Sequence, residues 1–258
     1  MDLGLKGKRA LVMGGSRGIG RGIAAALAAE GAAVAIVSRD QAALDRTAAE
    51  LGHGVLPIAA DLADRAALEA AFETIERQLG GIDILVNNSG GPPPSGVSAI
   101  DPDLWRRQFE MMVLNIIGLT DLAVPAMKQR GWGRVLTVAS SAVIQPIPTI
   151  GVSNTLRSAL VGWSKTLAGE VGRFGITVNM LLPGTIVTQR VTDLNNRTAA
   201  AQGKSVEQVA EAAQALIPVG RYGTIEEFGA VAAFLASTQA SYVTGSMIRI
   251  DGGAVRSV

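Results

Sequence analysis

The sequence predicts one α/β domain, a doubly wound parallel sheet of about seven strands with helices on both faces. Short apolar, β-branched runs alternate with amphipathic helical stretches almost to the C-terminus, as a series of βα units requires. A length of 258 residues suits one large domain spanning 1–258, and no linker, repeat or low-complexity stretch divides it. The hydrophobic content of 48% and the 31 glycines suit helices packed closely on a buried sheet.

The individual elements follow from this alternation. The first strand is an apolar run that ends at a glycine-rich turn, and an Ala/Ile/Leu-rich helix leaves that turn. The same order then repeats along the chain. The predicted strands are 9–13, 33–38, 54–59, 82–86, 133–138, 175–181 and 246–250, and the predicted helices are 19–30, 41–51, 64–79, 102–130, 152–173 and 224–236.

Two segments interrupt the alternation. One is the stiff, Gly/Pro-rich stretch 90–96 after the fourth strand, and the other is the polar, Ala/Gln-rich insertion at about 184–220 after the sixth. Both follow the carboxyl ends of strands, where ligands bind in sheets of this kind. We expect them to border a site, with the insertion acting as a substrate lid, although plain surface loops remain the alternative.

Composition excludes several function classes. A formal net charge of +1 and a pI of about 8.1 give no electrostatic footprint for nucleic acid or an anionic membrane. The absence of cysteine excludes disulfides, thiolate catalysis and Cys-ligated metals, and no metal site is predicted. Residues 1–8 lack the apolar core of a signal peptide, and we expect that no apolar run reaches membrane-spanning length. These observations predict a soluble, cytoplasmic protein.

The turn after the first strand indicates the class of ligand. Gly14, Gly18 and Gly20 lie between strand 9–13 and the helix that follows. Glycine permits a sharp turn with positive φ and lets a diphosphate approach the backbone, and the N–H groups that open the helix donate to it. Two glycines could serve any tight strand-to-helix turn, but the strand before and the helix after favour a dinucleotide-binding Rossmann fold.

Further motifs resemble one family throughout the chain. Gly14-x3-Gly18-Ile19-Gly20, Asp61-Leu62, Asn87-Asn88-Ser89-Gly90, Asn115, Pro183-Gly184-x3-Thr188 and Gly245-x5-Asp251-Gly252-Gly253 occur in the order and spacing of the short-chain dehydrogenase/reductase family. Within that family the likeness is strongest to bacterial 3-oxoacyl-acyl-carrier-protein reductases. The resemblance implies a nicotinamide cofactor held by Gly14, Ser16, Arg17, Gly18, Ile19, Gly20, Arg39, Asp61, Leu62, Asn88, Ser89, Gly90, Pro183, Gly184, Ile186 and Thr188.

The choice between NAD and NADP follows from charge. An NAD site usually places a carboxylate about 20 residues after the glycine turn, on the ribose hydroxyls. Here the second strand ends in Val37-Ser38-Arg39, which removes that carboxylate and offers a planar cation to a 2′-phosphate. Arg17 could supply a second cation, whereas the adjacent Asp40 could neutralise Arg39. Both arginines could also be solvated surface charges, but the pattern favours NADP(H).

The catalytic positions depart from the family. The resemblance implies a serine, here Ser140, a helix asparagine, here Asn115, and a Tyr-x3-Lys pair that protonates the developing alkoxide. Ser153 stands where the tyrosine belongs and Arg157 where the lysine belongs. The chain's two tyrosines, Tyr222 and Tyr242, lie far downstream. Serine is a much poorer acid than a phenol, and arginine cannot relay a proton, although it can stabilise an oxyanion.

Three functions are therefore open. The chain is expected to be an NADP-dependent oxidoreductase that uses Ser153, water or the substrate as proton source, acting on a carbonyl, enone or imine-like substrate. The alternatives are a non-catalytic NADP-binding partner or sensor, and a lyase or isomerase on the same fold. The stretches Pro92 to Pro94, Ile144 to Ile150 and 188–218 suggest a largely apolar pocket and hence a small, apolar substrate, and no charged anchor for a small acid stands out. Apolar surface on 102–130 and 152–173 predicts a homotetramer.

Overall fold

A single parallel sheet of seven strands organises the molecule, and the computed structural model describes residues 2–257. The strand order is β3-β2-β1-β4-β5-β6-β7, so the chain winds outward from β1 in both directions. This confirms the predicted doubly wound α/β fold. The strands are β1 Arg9–Met13, β2 Ala33–Ser38, β3 Leu56–Ala59, β4 Ile84–Asn87, β5 Gly133–Val138, β6 Ile176–Pro183 and β7 Met247–Ile250.

The hydrophobic pattern of the strands produces a core on each face of the sheet. Successive side chains of a strand point to opposite faces, so Ala10 and Val12 of β1 join one core while Leu11 and Met13 join the other. Phe228 packs in the first core and Phe72 in the second. Because both faces are covered, the central strands are continuous apolar runs rather than alternating ones.

Nine α-helices cover the sheet and its carboxyl edge within residues 2–257. They are α1 Gly18–Ala29, α2 Gln41–Leu51, α3 Arg65–Leu79, α4 Pro102–Phe109, α5 Asn115–Arg130, α6 Gly151–Val171, α7 Gln189–Gln202, α8 Val206–Gln214 and α9 Ile225–Ala236. The first three and α9 lie within about two residues of their predicted bounds. Strands β3 and β4 begin two residues later than predicted, since Gly52 and Gly54 open a turn with positive φ before β3.

The predicted helix 102–130 is not a continuous α-helix. A π-helical turn, Glu110–Leu114, separates α4 from α5. Single π turns of this kind are frequent at functional sites, and they displace the side chains that follow by one position. Here the residue that follows is Asn115, one of the predicted site residues.

The expectation that no apolar run reaches membrane-spanning length was wrong. The helical run Pro102–Arg130 has 29 residues and a window of mean hydropathy 1.4, which is enough to span a bilayer by length and composition. Half of that window is buried inside the domain, where α5 packs on β4 and β5. The run's hydropathy is therefore that of a core helix.

The insertion at 184–220 has more structure than its polar composition suggests. It forms α7 and α8, and α8 opens with a capping box in which Ser205 and Gln208 bond reciprocally. Only Ala199 of α7 and Val209 of α8 are buried side chains. Both helices thus lie at the surface, beyond the carboxyl end of β6.

Candidate cofactor and active site

The carboxyl ends of β1 and β4 form the point where the sheet's winding reverses, and the glycine turn lies there. Gly14 and Gly18 adopt positive φ (+62° and +56°), and a Cβ on Gly20 would lie 2.2 Å from the carbonyl oxygen of Gly14. Asn88 Nδ2 donates to the Met13 carbonyl at 3.1 Å and so fixes the turn to the end of β4. The turn is therefore packed too tightly for side chains at Gly14 and Gly20.

The start of α1 faces the same turn without a side-chain cap. Arg17 occupies the N-cap position in an extended conformation, and no side chain accepts from the first N–H groups of the helix. These N–H groups carry the positive end of the helix dipole. Glycine turn and helix start together fit the diphosphate of a dinucleotide.

Cationic side chains border the adenosine end of this region. Arg39 follows β2, its side chain is 72% exposed, and its Nη1 lies 4.0 Å from Asp61 Oδ2. Asp40 instead caps α2 by accepting from the Ala43 N–H at 3.0 Å. Asp40 therefore does not pair with Arg39, because its carboxylate already caps α2. Arg17 is also exposed, so both cations are accessible.

The loop after β6 closes over the glycine turn. Gly184 packs so closely that a Cβ there would lie 2.7 Å from the Asp251 Cα, and Ile186 is buried. Thr188 is the N-cap residue of α7, and its methyl carbon lies 3.3 Å from the position that a Cβ on Gly18 would occupy. The structure thus brings this predicted loop and the glycine turn together.

Arg157 joins the ends of two central strands. It is 8% exposed, its Nη1 donates to the Val138 carbonyl at the end of β5 (2.9 Å), and its Nη2 donates to the Ser89 carbonyl after β4 (3.2 Å). Burial, and secondarily the charge of Arg190, lowers the pKa of Arg157 to about 10. The side chain therefore stays protonated at neutral pH as a fixed internal cation.

Ser153 lies one helical turn before Arg157 and bonds to it. Its Oγ accepts from Arg157 Nε at 3.3 Å and is buried at 5% exposure. Ser140, at the end of β5, accepts from the Ala142 N–H at 3.1 Å. In both cases the hydroxyl oxygen accepts, and among residues 2–257 its proton is not engaged. Arg157 therefore bonds both to Ser153 and to the end of β5, just before Ser140.

Asn115 is placed differently from the other predicted catalytic residues. Its Nδ2 donates to the Leu62 carbonyl at 2.6 Å, just after Asp61 in the loop that follows β3. Its buried Oδ1 has no hydrogen-bond partner within the described chain. No hydrogen bond there joins Asn115 to Ser140, Ser153 or Arg157, so the geometry links it to the cofactor side.

Comparison with known proteins identifies the family. Residues 14–255 match the sequence model described as enoyl-(acyl carrier protein) reductase. The chain belongs to this short-chain dehydrogenase/reductase family. The 3-oxoacyl-[acyl-carrier-protein] reductase FabG of Salmonella typhimurium is 33% identical over 253 residues, which cover 97% of this chain and 98% of that relative. The chain is thus a member of an oxidoreductase family.

Solved structures of this family resemble the chain closely. The L-sorbose reductase of Gluconobacter frateurii, solved with NADPH and L-sorbose, is 32% identical with a TM-score of 0.95 and full coverage of both chains. YwfH, an NADPH-dependent reductase involved in bacilysin biosynthesis, is 30% identical with a TM-score of 0.92, covering 97% of this chain and 99% of its own. The short-chain dehydrogenase/reductase fold is therefore shared along the whole chain.

One charged residue near this site was absent from the predicted set. Arg190, in the first turn of α7, places Nη1 2.7 Å from the position that a Cβ on Gly91 would occupy. Its location close behind Thr188 was visible in the sequence, but the contact with the loop after β4 was not. The conformation of α7 decides that contact.

Proposed function

We propose that this protein is an NADP(H)-dependent oxidoreductase that acts on a carbonyl, enone or imine-like group without the tyrosine its family resemblance implies. The observation that carries the proposal is the bonded Ser153–Arg157 pair beside a cofactor cradle that keeps its glycine turn and closing loop. A chain that no longer bound a nicotinamide cofactor would have no need to keep this loop closed over that turn.

The described residues fit a nicotinamide dinucleotide. The turn at Gly14, Gly18 and Gly20 would hold the diphosphate, while Arg39 and Arg17 would meet a 2′-phosphate. The relatives described as NADPH-dependent or solved with NADPH support the same choice. When bound, the cofactor supplies or accepts a hydride.

The side chains at the ends of β4 and β5 provide the rest of the chemistry. The Ser140 hydroxyl can donate to a substrate oxygen, since its own oxygen already accepts from the Ala142 N–H. The Arg157 cation stabilises negative charge that develops nearby, and it does so in a buried position where water screens little. A substrate whose developing charge is spread by conjugation needs little help from an acid.

Ser153 is the candidate proton donor of the pair. Its oxygen accepts from a guanidinium, which leaves the O–H free and stabilises negative charge on Oγ. Water or the substrate itself is the alternative source. A non-catalytic NADP-binding role is favoured by a different observation: the guanidinium already donates to three protein acceptors, as a purely structural side chain would.

Single-turnover oxidation of NADPH over a panel of ketones, enones and imines tests the proposal. With one accepted substrate, Arg157→Ala should slow the step by more than about tenfold, and Arg157→Lys should recover only part of that loss. Ser153→Ala should slow it sharply if the serine donates the proton. Ser158→Ala, an exposed position on the same helix, is the matched control.

Each outcome separates the candidate roles. Unchanged rates for both Ser153→Ala and Arg157→Ala would assign the proton to water or the substrate. NADPH binding without turnover on any panel member would favour the non-catalytic role. Consumption of a substrate with no change in the spectrum of bound NADP would indicate a lyase or isomerase. The expected cytoplasmic location and the small substrate with an apolar body remain part of this proposal.

A further inference from the structure

Two guanidinium groups converge on the loop that follows β4. Arg157 reaches it from α6 and donates to the Ser89 carbonyl at 3.2 Å. Arg190 reaches it from the start of α7, with Nη1 2.7 Å from the position of a Cβ on Gly91. Ser89 and Gly91 are two residues apart, so two cations from different helices border the same short stretch of backbone.

No carboxylate neutralises this pair within residues 2–257. Neither Arg157 nor Arg190 takes part in an ion pair there, although seven other pairs are formed. The charge of Arg190 contributes to lowering the pKa of Arg157, which shows that the two cations repel each other. An anion between or beside them would relieve that repulsion.

The two segments that carry these contacts hold further hydrogen-bond donors. Ser89 is 7% exposed, and its hydroxyl has no partner in the described part of the chain. The first turn of α7, which carries Arg190, has no side-chain cap on its N–H groups. A buried hydroxyl without a partner is unfavourable unless a ligand or water satisfies it, and an uncapped helix start leaves its N–H groups free to bind an anion.

We infer that the substrate is an acid, and that Arg190 binds its carboxylate beside Arg157, at the loop that follows β4. The inference rests on the proposed function, because it names the substrate class of the same site. Exposed apolar side chains nearby in the chain, Val97 after β4 and Val187 before α7, suit the remainder of an amphipathic acid.

The diphosphate of the cofactor is a second anion that Arg190 could bind. Thr188 and Arg190, two residues apart, face different parts of the structure. The Thr188 methyl group faces Gly18 in the diphosphate turn, whereas Arg190 faces Gly91 and the neighbourhood of Arg157. The Arg190 guanidinium therefore faces the loop after β4 and not the glycine turn.

Calorimetric titration of the NADP⁺-saturated protein tests the inference without requiring turnover. The probes are linear oxo acids and their methyl esters, which differ only in the charged group. At least one acid should bind about tenfold more tightly than its ester to the native chain. Arg190→Gln should bring the acid and the ester to within about twofold of each other, and Arg190→Lys should restore part of the preference. Arg197→Gln, an exposed arginine further along α7, should keep the native preference.

Several results would overturn the inference. Equal binding of every acid and its ester, or binding of neither, would remove the carboxylate from recognition. An equal loss in Arg197→Gln would reduce the effect to general attraction by surface charge. A parallel titration with NADPH distinguishes the two anion sources: Arg190→Gln should leave that affinity within about twofold, and a larger loss would assign Arg190 to the diphosphate. Acid preference with no NADPH oxidation would preserve this inference while rejecting the proposed reaction.

Discussion

Replacing Arg157 separates its contribution to stability from its contribution to chemistry. The guanidinium donates to the carbonyls of Val138 and Ser89 and to the hydroxyl of Ser153. Hydrogen bonds from a charged donor are worth about 1.5–3 kcal/mol each, so loss of the two carbonyl bonds costs about 3–6 kcal/mol. Methionine is an unbranched side chain without a charge or a hydrogen-bond donor, so Arg157→Met removes the charge and the hydrogen bonds and still fills much of the space.

Burial of the cation opposes this stabilisation. Since a tenfold change in a proton equilibrium corresponds to about 1.4 kcal/mol, holding a charge whose pKa has fallen to about 10 costs about 3 kcal/mol. Arg157→Met recovers that cost, and the expected net loss of unfolding free energy is about 0–3 kcal/mol. No opposite charge is left stranded, so the loss should stay below that of a broken buried ion pair.

Arg157→Lys should be less stable than Arg157→Met, although lysine is the closer chemical match. An ammonium cannot span the two strand ends as the planar fork does, yet it still carries a charge into a buried position. Turnover should rank in the opposite order, because lysine keeps a cation near the reacting group. A conventional mutational ranking by chemical similarity would place lysine first for both properties.

Urea unfolding at neutral pH measures the stability order, and NADPH oxidation measures the catalytic order. Ser153→Ala is the matched control, since it removes a neutral acceptor and leaves both carbonyl bonds; it should cost about 0.5–1.5 kcal/mol. A lysine variant as stable as the native chain would refute the argument from the fork geometry. A loss above about 4 kcal/mol in the methionine variant would refute the estimated cost of burying the charge.

Four further predictions follow from other parts of the molecule. NADPH should bind at least about tenfold more tightly than NADH, a difference of about 1.4 kcal/mol, and Arg39→Ala should remove most of it; fluorescence titration showing equal affinities would contradict this. Gly20→Ala should abolish cofactor binding with little change in circular dichroism, because its Cβ would lie 2.2 Å from the Gly14 carbonyl oxygen; an alanine variant that binds normally would be evidence against the cradle. Because the pKa of Arg157 is lowered to about 10, the side chain is charged at every pH below that value, and its burial costs stability there. The rate of hydride transfer should therefore show no inflection from Ser153 and Arg157 between about pH 6 and 9. The double variant Ser153→Tyr/Arg157→Lys should introduce such an inflection. Light scattering at micromolar concentration should show a homotetramer, and a monomer would reject that expectation.

Most of the fold could be predicted because hydrophobic periodicity is local. Strands β1, β2 and β5 have the predicted bounds, since each is a continuous buried run flanked by a turn or a charge. The π turn Glu110–Leu114 could not be predicted, because it differs from an α-helix by one hydrogen-bond step and leaves the apolar pattern nearly unchanged. Helix α7 was hidden for another reason: it buries a single side chain, so it has no apolar stripe.

The candidate site was only partly accessible to sequence reasoning. The motif residues are visible at fixed spacing, and so are Ser153 and Arg157, which helical geometry places on one face. The main-chain carbonyls to which Arg157 donates could not be predicted, because every residue has a carbonyl oxygen and the sequence does not show which ones lie near Arg157. Arg190 was missed because its importance lies in a tertiary contact, and the sequence therefore offered no charged anchor.

Ser153 and Arg157, which stand where the family resemblance implies a tyrosine and a lysine, are best understood together. A serine at position 153 is small enough to leave the guanidinium beside it, and the guanidinium in turn occupies the serine oxygen. Position 157 carries a cation, as the family resemblance implies, but this cation donates to carbonyls at the ends of β4 and β5. Under the proposed function the site lacks the titratable acid that the resemblance implies, while the cation can stabilise developing negative charge. The proposed site therefore suits substrates whose reduction depends on charge stabilisation more than on rapid protonation.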